Sequence, residues 1–207
     1  IFSEDIIMRM RSSKVVVFLL TFFILLSQVF TSSFALADNK VPFTIFHTND
    51  MHGRLGYEEY KGKPTSFGSA REKALIDKEK KENPNRTVIA LDAGDAFQGL
   101  PVSNQSKGQD MAKAMNEIGY KAMAAGNHEF DFGLDTVEKY KNNPQNGGWL
   151  NFPILSTNVY KDGKRLFEPS TIINENGVKI GIVGVTTPET ATKTGFLEPR
   201  TTLGDGL

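Results

Sequence analysis

The apolar positions of this chain fall in short runs, and several of them hand over to a turn that carries aspartate, asparagine or histidine. Phe43-Thr44-Ile45-Phe46 reads as a buried strand ending at His47-Thr48-Asn49-Asp50. Thr87 to Leu91 is a second β-rich run, and it empties into Asp92-Ala93-Gly94-Asp95. Ala122 to Ala125 is a third, leading into Gly126-Asn127-His128. Helical patterns lie between them. Ser69 to Lys81 is rich in Ala, Glu and Lys and is stopped by Asn83-Pro84, as a surface helix would be. Met111, Ala114, Met115 and Ile118 are spaced along one helix face, with Gly119 placed to end it, and this methionine stripe reads as core. A further helix is expected from Leu134 to Lys141, closed by Asn142-Asn143-Pro144. Residues 53–67, punctuated by Gly53, Gly56, Gly62 and Pro64, read as loop. Phe152 to Ser156 is another strand candidate, and Thr171-Ile172-Ile173 and Val178 to Val183 flank Asn176-Gly177, a strong hairpin signal.

Strand, helix, strand, helix, strand and hairpin predict an α/β layered fold. Ahead of it, Arg9, Arg11 and Lys14 precede the apolar run Val15 to Phe30, and Ala35-Leu36-Ala37 offers a cleavage site. That run is shorter than the ~20 residues a spanning helix needs. Residues 1–37 therefore read as a signal peptide, with residues 1–7 upstream of the natural start at Met8 or Met10, and residues 38–207 as the exported part. Export points to a periplasmic, cell-surface or extracellular location in a bacterium. The chain has no cysteine, which excludes a lipid-modified leader, a disulfide framework and thiolate metal ligands. Its formal net charge is zero, and without residues 1–37 it stays close to neutral, so nothing recommends a nucleic-acid polymer as partner.

The chemistry sits in the turns. In an extended segment Asp50 and His52 would point to the same side and could serve one cation, with Gly53 removing bulk behind them. Alone, such a pair also reads as solvated turn residues. Asp95 can bridge two cations, or simply cap a helix or close a turn. Asn127 can offer an amide oxygen, a hard ligand. His128 suits a hydrogen bond to a phosphate oxygen or protonation of a leaving alcohol, with Asp131 holding its other nitrogen. His47, at odd spacing from His52, reads as a satisfied core or supporting residue. The order Asp-x-His, Gly-Asp, Gly-Asn-His-Glu, each after a β-like run, is a dinuclear-metal inventory of the kind that hydrolyses phosphate esters.

With these strings, and with the longer His47-Thr48-Asn49-Asp50-Met51-His52-Gly53 and Gly126-Asn127-His128-Glu129-Phe130-Asp131-Phe132-Gly133, the chain resembles the calcineurin-like metallophosphoesterases. The longer strings look like their secreted 5′-nucleotidase branch, which includes bacterial UDP-sugar hydrolases and 2′,3′-cyclic-nucleotide phosphodiesterases. The resemblance runs from about Phe43 to Thr187 and implies a layered β-sandwich flanked by helices, incomplete at the C-terminus. It implies two divalent ions (Mn, Zn, Fe or Co), with Asp50 and His52 on the first, Asp95 bridging, Asn127 on the second, and His128 and Asp131 as a catalytic dyad. The implied reaction is in-line attack of metal-activated water on a nucleotide phosphate: AMP, a cyclic nucleotide or a UDP-sugar. It also implies a later lone histidine, a Gly-His-x-His segment and a C-terminal nucleotide-binding domain. The chain holds only His47, His52 and His128, so by itself it is expected to be nearly inactive. The same absence leaves a second reading, a catalytically inactive exported module that binds nucleotides or a partner.

Overall fold

The computed structural model describes residues 40–204, except 196 and 199; the leader expected over residues 1–37 lies outside them. Among the described residues, no helix is long and apolar enough to cross a membrane. A parallel four-stranded sheet carries the architecture. Its strands are β1 (Phe43–Thr48), β4 (Thr87–Asp92), β5 (Ala122–Ala124) and β6 (Ile154–Leu155), side by side in that order. The register sets Thr48 opposite Asp92 and Asp92 opposite Met123, so the turns that follow β1, β4 and β5 share one edge. In open α/β sheets, that carboxyl edge is where ligands bind.

β4 lies between two neighbours, and Thr87 to Ala90 are buried on both faces. β1 differs from the expectation of a buried strand. It is an edge of the described sheet, so only Thr44, Phe46 and Thr48 turn inward, while Phe43 and Ile45 stay 40% and 49% exposed. His47 lies on that outer, exposed face and is not a core residue.

The helices are α1 (Ser69–Glu82), the short α2 (Pro101–Asn104), α3 (Gln109–Ile118) and α4 (Leu134–Lys141). Met111, Met115 and Ile118 on α3 are buried with Ile76 of α1, Val88 of β4 and Val137 and Tyr140 of α4. The methionine stripe is core, as its spacing predicts. Gly119 ends α3 with φ 90°, a left-handed cap that glycine adopts without cost. Phe97 stacks on Tyr140 at 4.1 Å, and the Tyr140 hydroxyl donates to the Lys107 carbonyl at 2.6 Å, which fastens the loop after β4 to α4.

Smaller antiparallel pieces surround this core. β9 (Ser170–Glu175) and β10 (Val178–Val183) form the expected hairpin, with Asn176 at φ 52° and Gly177 at φ 79° in its turn. β2 (Glu58–Tyr60) and β3 (Lys63–Ser66) form a hairpin inside the segment expected to be loop. β7 (Val159–Lys161) pairs with both β8 (Lys164–Arg165) and β11 (Thr201–Leu203), and α5 (Thr190–Lys193) precedes β11.

Candidate metal and phosphate site

Asp50, His52 and Asp95 do not sit on extended backbone. Their φ values are 52°, 47° and 58°, so the two turns run through the left-handed region. The expected reason for Asp50 and His52 to share a side is therefore wrong, although their side chains do meet. His52 Nε2 lies 3.7 Å from Asp50 Oδ1. The left-handed turns are held by a backbone zipper between the two loops: Asp50 N–H to Gly94 O at 3.0 Å, His52 N–H to Asp95 O at 3.0 Å, and Gly53 N–H to Ala96 O at 2.8 Å. Gly53 at φ 73° is needed as read, because a β-carbon there would press on Ser103.

His52 Nδ1 lies 2.8 Å from the Gln98 carbonyl, which can only accept. Nδ1 is therefore the donor in that bond, and Nε2 is the nitrogen turned toward Asp50. His52, Asp95 and His128 each offer a ligand atom, and the three atoms lie within 4.8 Å of one another. The rings of His52 and His128 meet edge to face at 5.2 Å. Oxygen and imidazole donors at this spacing fit a hard or borderline divalent cation. Asp50 is 58% exposed at the mouth, and Asn49 donates to its carboxylate. Asn127 donates through Nδ2 to the Lys193 carbonyl at 3.3 Å.

His128 begins a 3-10 turn (His128–Phe130). Its amide donates to Asp95 Oδ1 at 2.8 Å, and its Nδ1 lies 2.6 Å from Asp131 Oδ2. Partial burial pulls the imidazole down, but the Asp131 bond and the charges of Asp131, Asp95 and Glu129 outweigh it and hold the group above its ordinary value. Burial pushes Asp131 up, yet donors from His128, Thr194 and Gly195 bring it below the usual carboxylate range.

Three features of the site escaped sequence reasoning. Glu129 is fully buried and accepts the N–H groups of Asp95 (2.8 Å), Ala96 (2.9 Å) and Gly126 (2.7 Å), which rivets the second and third turns together. Burial pushes its carboxyl up to about 7 despite the pull of the amides. Gly94 and Gly126 pack backbone to backbone; a β-carbon on Gly126 would collide with Asp95 Oδ1. Thr186 donates to the Ala125 carbonyl at 2.7 Å from a segment held by Asn158, and so supports the third turn from behind. The glycine of each Gly-Asp or Gly-Asn pair was the available signal for the close approach.

Behind the site, Asp92 Oδ1 accepts the Gly94 N–H at 2.8 Å, and a polar chain runs inward from its Oδ2. Thr48 Oγ1 lies 2.6 Å from Asp92 Oδ2 and 2.7 Å from the Tyr120 hydroxyl, which also meets Glu72. Two hydroxyl protons cannot fill the three bonds of that chain, so its completion takes one proton on Asp92 or Glu72. Burial accordingly raises both carboxyls, Asp92 to about 7. A carboxyl raised by folding supplies stability in full below its unfolded value of about 4, and that stability is lost as pH rises through the folded value. Asp92→Asn provides the donor permanently. In metal-free protein the variant is expected to flatten the decline of Tm between pH 5 and 8; an unchanged slope would contradict the shared proton.

The sequence model of the calcineurin-like phosphoesterase family matches residues 43–198. A 5′-nucleotidase of Vibrio parahaemolyticus serotype O3:K6 (strain RIMD 2210633) is 41% identical over 159 residues, which make up 75% of this chain and 27% of that protein. Protein UshA of Escherichia coli (strain K12) is 36% identical over 191 residues, 89% of this chain and 32% of UshA. The chain thus spans roughly a quarter to a third of the length of these curated relatives. Among solved structures, the 5′-nucleotidase precursor from Thermus thermophilus matches with TM-score 0.65 at 33% identity, over 78% of this chain and 31% of that one. Haemophilus influenzae NAD nucleotidase matches with TM-score 0.63 at 28% identity, over 78% and 29%.

Proposed function

The chain belongs to the calcineurin-like phosphoesterase family, and on that premise we propose that the protein it comes from hydrolyses phosphate esters of nucleotides outside the cytoplasm. The observation that carries this reading is the convergence of His52, Asp95 and His128 at the carboxyl edge of the sheet, with Asp131 behind His128. Its relatives named as 5′-nucleotidase and NAD nucleotidase favour nucleotides over other esters.

In this proposal Asp50, His52 and Asp95 would hold one divalent ion, and Asn127 with Asp95 would offer oxygen ligands to a second. Bound there, such ions would supply Lewis acidity toward the phosphate oxygens and would make water more acidic. The remaining work falls to the chain. His128 keeps Nδ1 on Asp131 and turns Nε2 to the ester, where it donates a proton to the leaving alcohol oxygen. Asp131, held as the anion, fixes that orientation and favours the charged imidazole from which the proton comes. Glu129 keeps the Asp95 and Gly126 turns in register while this happens.

Completion of the second ion's ligands is assigned to residues beyond this chain. The full-length protein should release phosphate from AMP when divalent metal is supplied and lose that activity in chelator. Residues 38–207 alone should release almost none. Strong metal-dependent release by residues 38–207 would show that the site is already complete, and no release by the full-length protein from AMP, a cyclic nucleotide or a UDP-sugar would defeat the assignment. Export through residues 1–37 is read from the N-terminus of the mature protein: Asp38 is expected, and retention of Met8 or Met10 would contradict it.

A further inference from the structure

Asp131 is engaged on both oxygens. Oδ2 faces His128 Nδ1, while Oδ1 accepts the Thr194 hydroxyl at 2.7 Å and the Gly195 N–H at 2.6 Å. The last two donors come from a segment more than 60 residues further along the chain, just after α5. That segment is itself tethered. The Lys193 carbonyl accepts from Asn127, and Glu198 accepts the Leu134 N–H at 3.2 Å, at the start of α4.

A carboxylate bonded through one oxygen only is free to turn about its Cβ–Cγ bond, and its partner imidazole turns with it. Donors on the second oxygen remove that freedom, and bonds to an ionised acceptor are the stronger kind. We propose that Thr194 is a positioning residue: its hydroxyl, with the Gly195 amide, locks the Asp131 carboxylate so that Oδ2 stays on His128 Nδ1. One proton is thereby kept on Nδ1, and Nε2 is the nitrogen that presents the second proton of the charged ring to the ester. This rests on the reading of His128 as the group that serves the leaving oxygen.

The test compares Thr194→Val, which keeps the branched shape, with Thr194→Ser, which keeps the hydroxyl, in the full-length protein. With AMP, the valine variant should lose about tenfold in kcat at nearly unchanged KM, and the serine variant should stay within about twofold of wild type. With a p-nitrophenyl phosphate ester, whose leaving group needs no proton, the valine deficit should largely disappear. A valine variant as fast as wild type, a serine variant as slow as valine, or an equal loss on both esters would overturn the proposal. Imidazole nitrogen-15 shifts of His128 in the metal-free protein give a readout independent of turnover. Recorded on the alkaline side of the imidazole's titration, wild type and serine should show one Nδ1–H tautomer and valine a mixture; an unmixed spectrum in valine would also overturn it. A wild type that cleaves neither ester defeats the functional reading instead, and the nitrogen-15 comparison then decides the positioning role by itself.

Discussion

His128→Ala should lower kcat of the full-length protein on AMP by roughly 10²–10⁴-fold, the range of general acid catalysis, while bound metal stays near the wild-type content. The geometry makes this a sharp test. His128 stands within 4.8 Å of His52 and Asp95 donor atoms, close enough to be a ligand itself. Its Nδ1 is already committed to Asp131, so Nε2 must serve either a cation or the ester. If Nε2 serves the ester, the loss falls on kcat and KM changes little. The pH profile should agree. The imidazole is held above its ordinary value, so the wild-type rate should fall on the alkaline side as that proton is lost, and the alanine variant should lack this limb. Loss of metal in the variant would make His128 a ligand and end its assignment as acid.

Glu129→Ala should destabilise the fold by roughly 3–5 kcal/mol, because a donor that loses its acceptor costs about 1–3 kcal/mol and three lose theirs at once. Three N–H groups, from Asp95, Ala96 and Gly126, would lose an acceptor that is itself fully buried. A loss of that size is a large share of a domain's total stability of about 5–15 kcal/mol. Glu129→Gln preserves the volume but keeps one acceptor oxygen, so it should fall between alanine and wild type. Urea unfolding of the three proteins in chelator measures the order. An alanine variant within about 0.5 kcal/mol of wild type, the size of an ordinary surface substitution, would mean that the carboxylate is not the rivet between the two turns. Activity should fall in the same order, since the turns carry Asp95, Asn127 and His128.

Much of this was legible in the chain because periodicity and punctuation report local structure. The β-runs before Asp50, Asp95 and Asn127, the helix over Leu134 to Lys141 and the Asn176-Gly177 hairpin all depend on residues close in sequence. What was not legible depends on distant neighbours. The left-handed turns at Asp50 and His52 are imposed by amide bonds to Gly94 and Asp95, more than forty residues away. The exposure of Phe43, Ile45 and His47 follows from the edge position of β1, which a run of apolar residues does not encode. The β2–β3 hairpin was hidden because Glu58-Glu59-Tyr60 and Lys63-Pro64-Thr65-Ser66 lack an apolar face; Lys61-Gly62, at φ 51° and 74°, was its one local signal. Glu129 stood in a motif that had been quoted, but only its burial against three amides reveals what it does.

The most direct test of the central claim is anomalous diffraction from crystals of the full-length protein soaked in manganese. Two peaks about 3.5–4 Å apart are expected. Asp50 and His52 should lie on one, Asn127 on the other, Asp95 between them, and His128 Nε2 outside both. A single peak held by His52, Asp95 and His128, or no peak at these residues, would contradict the account.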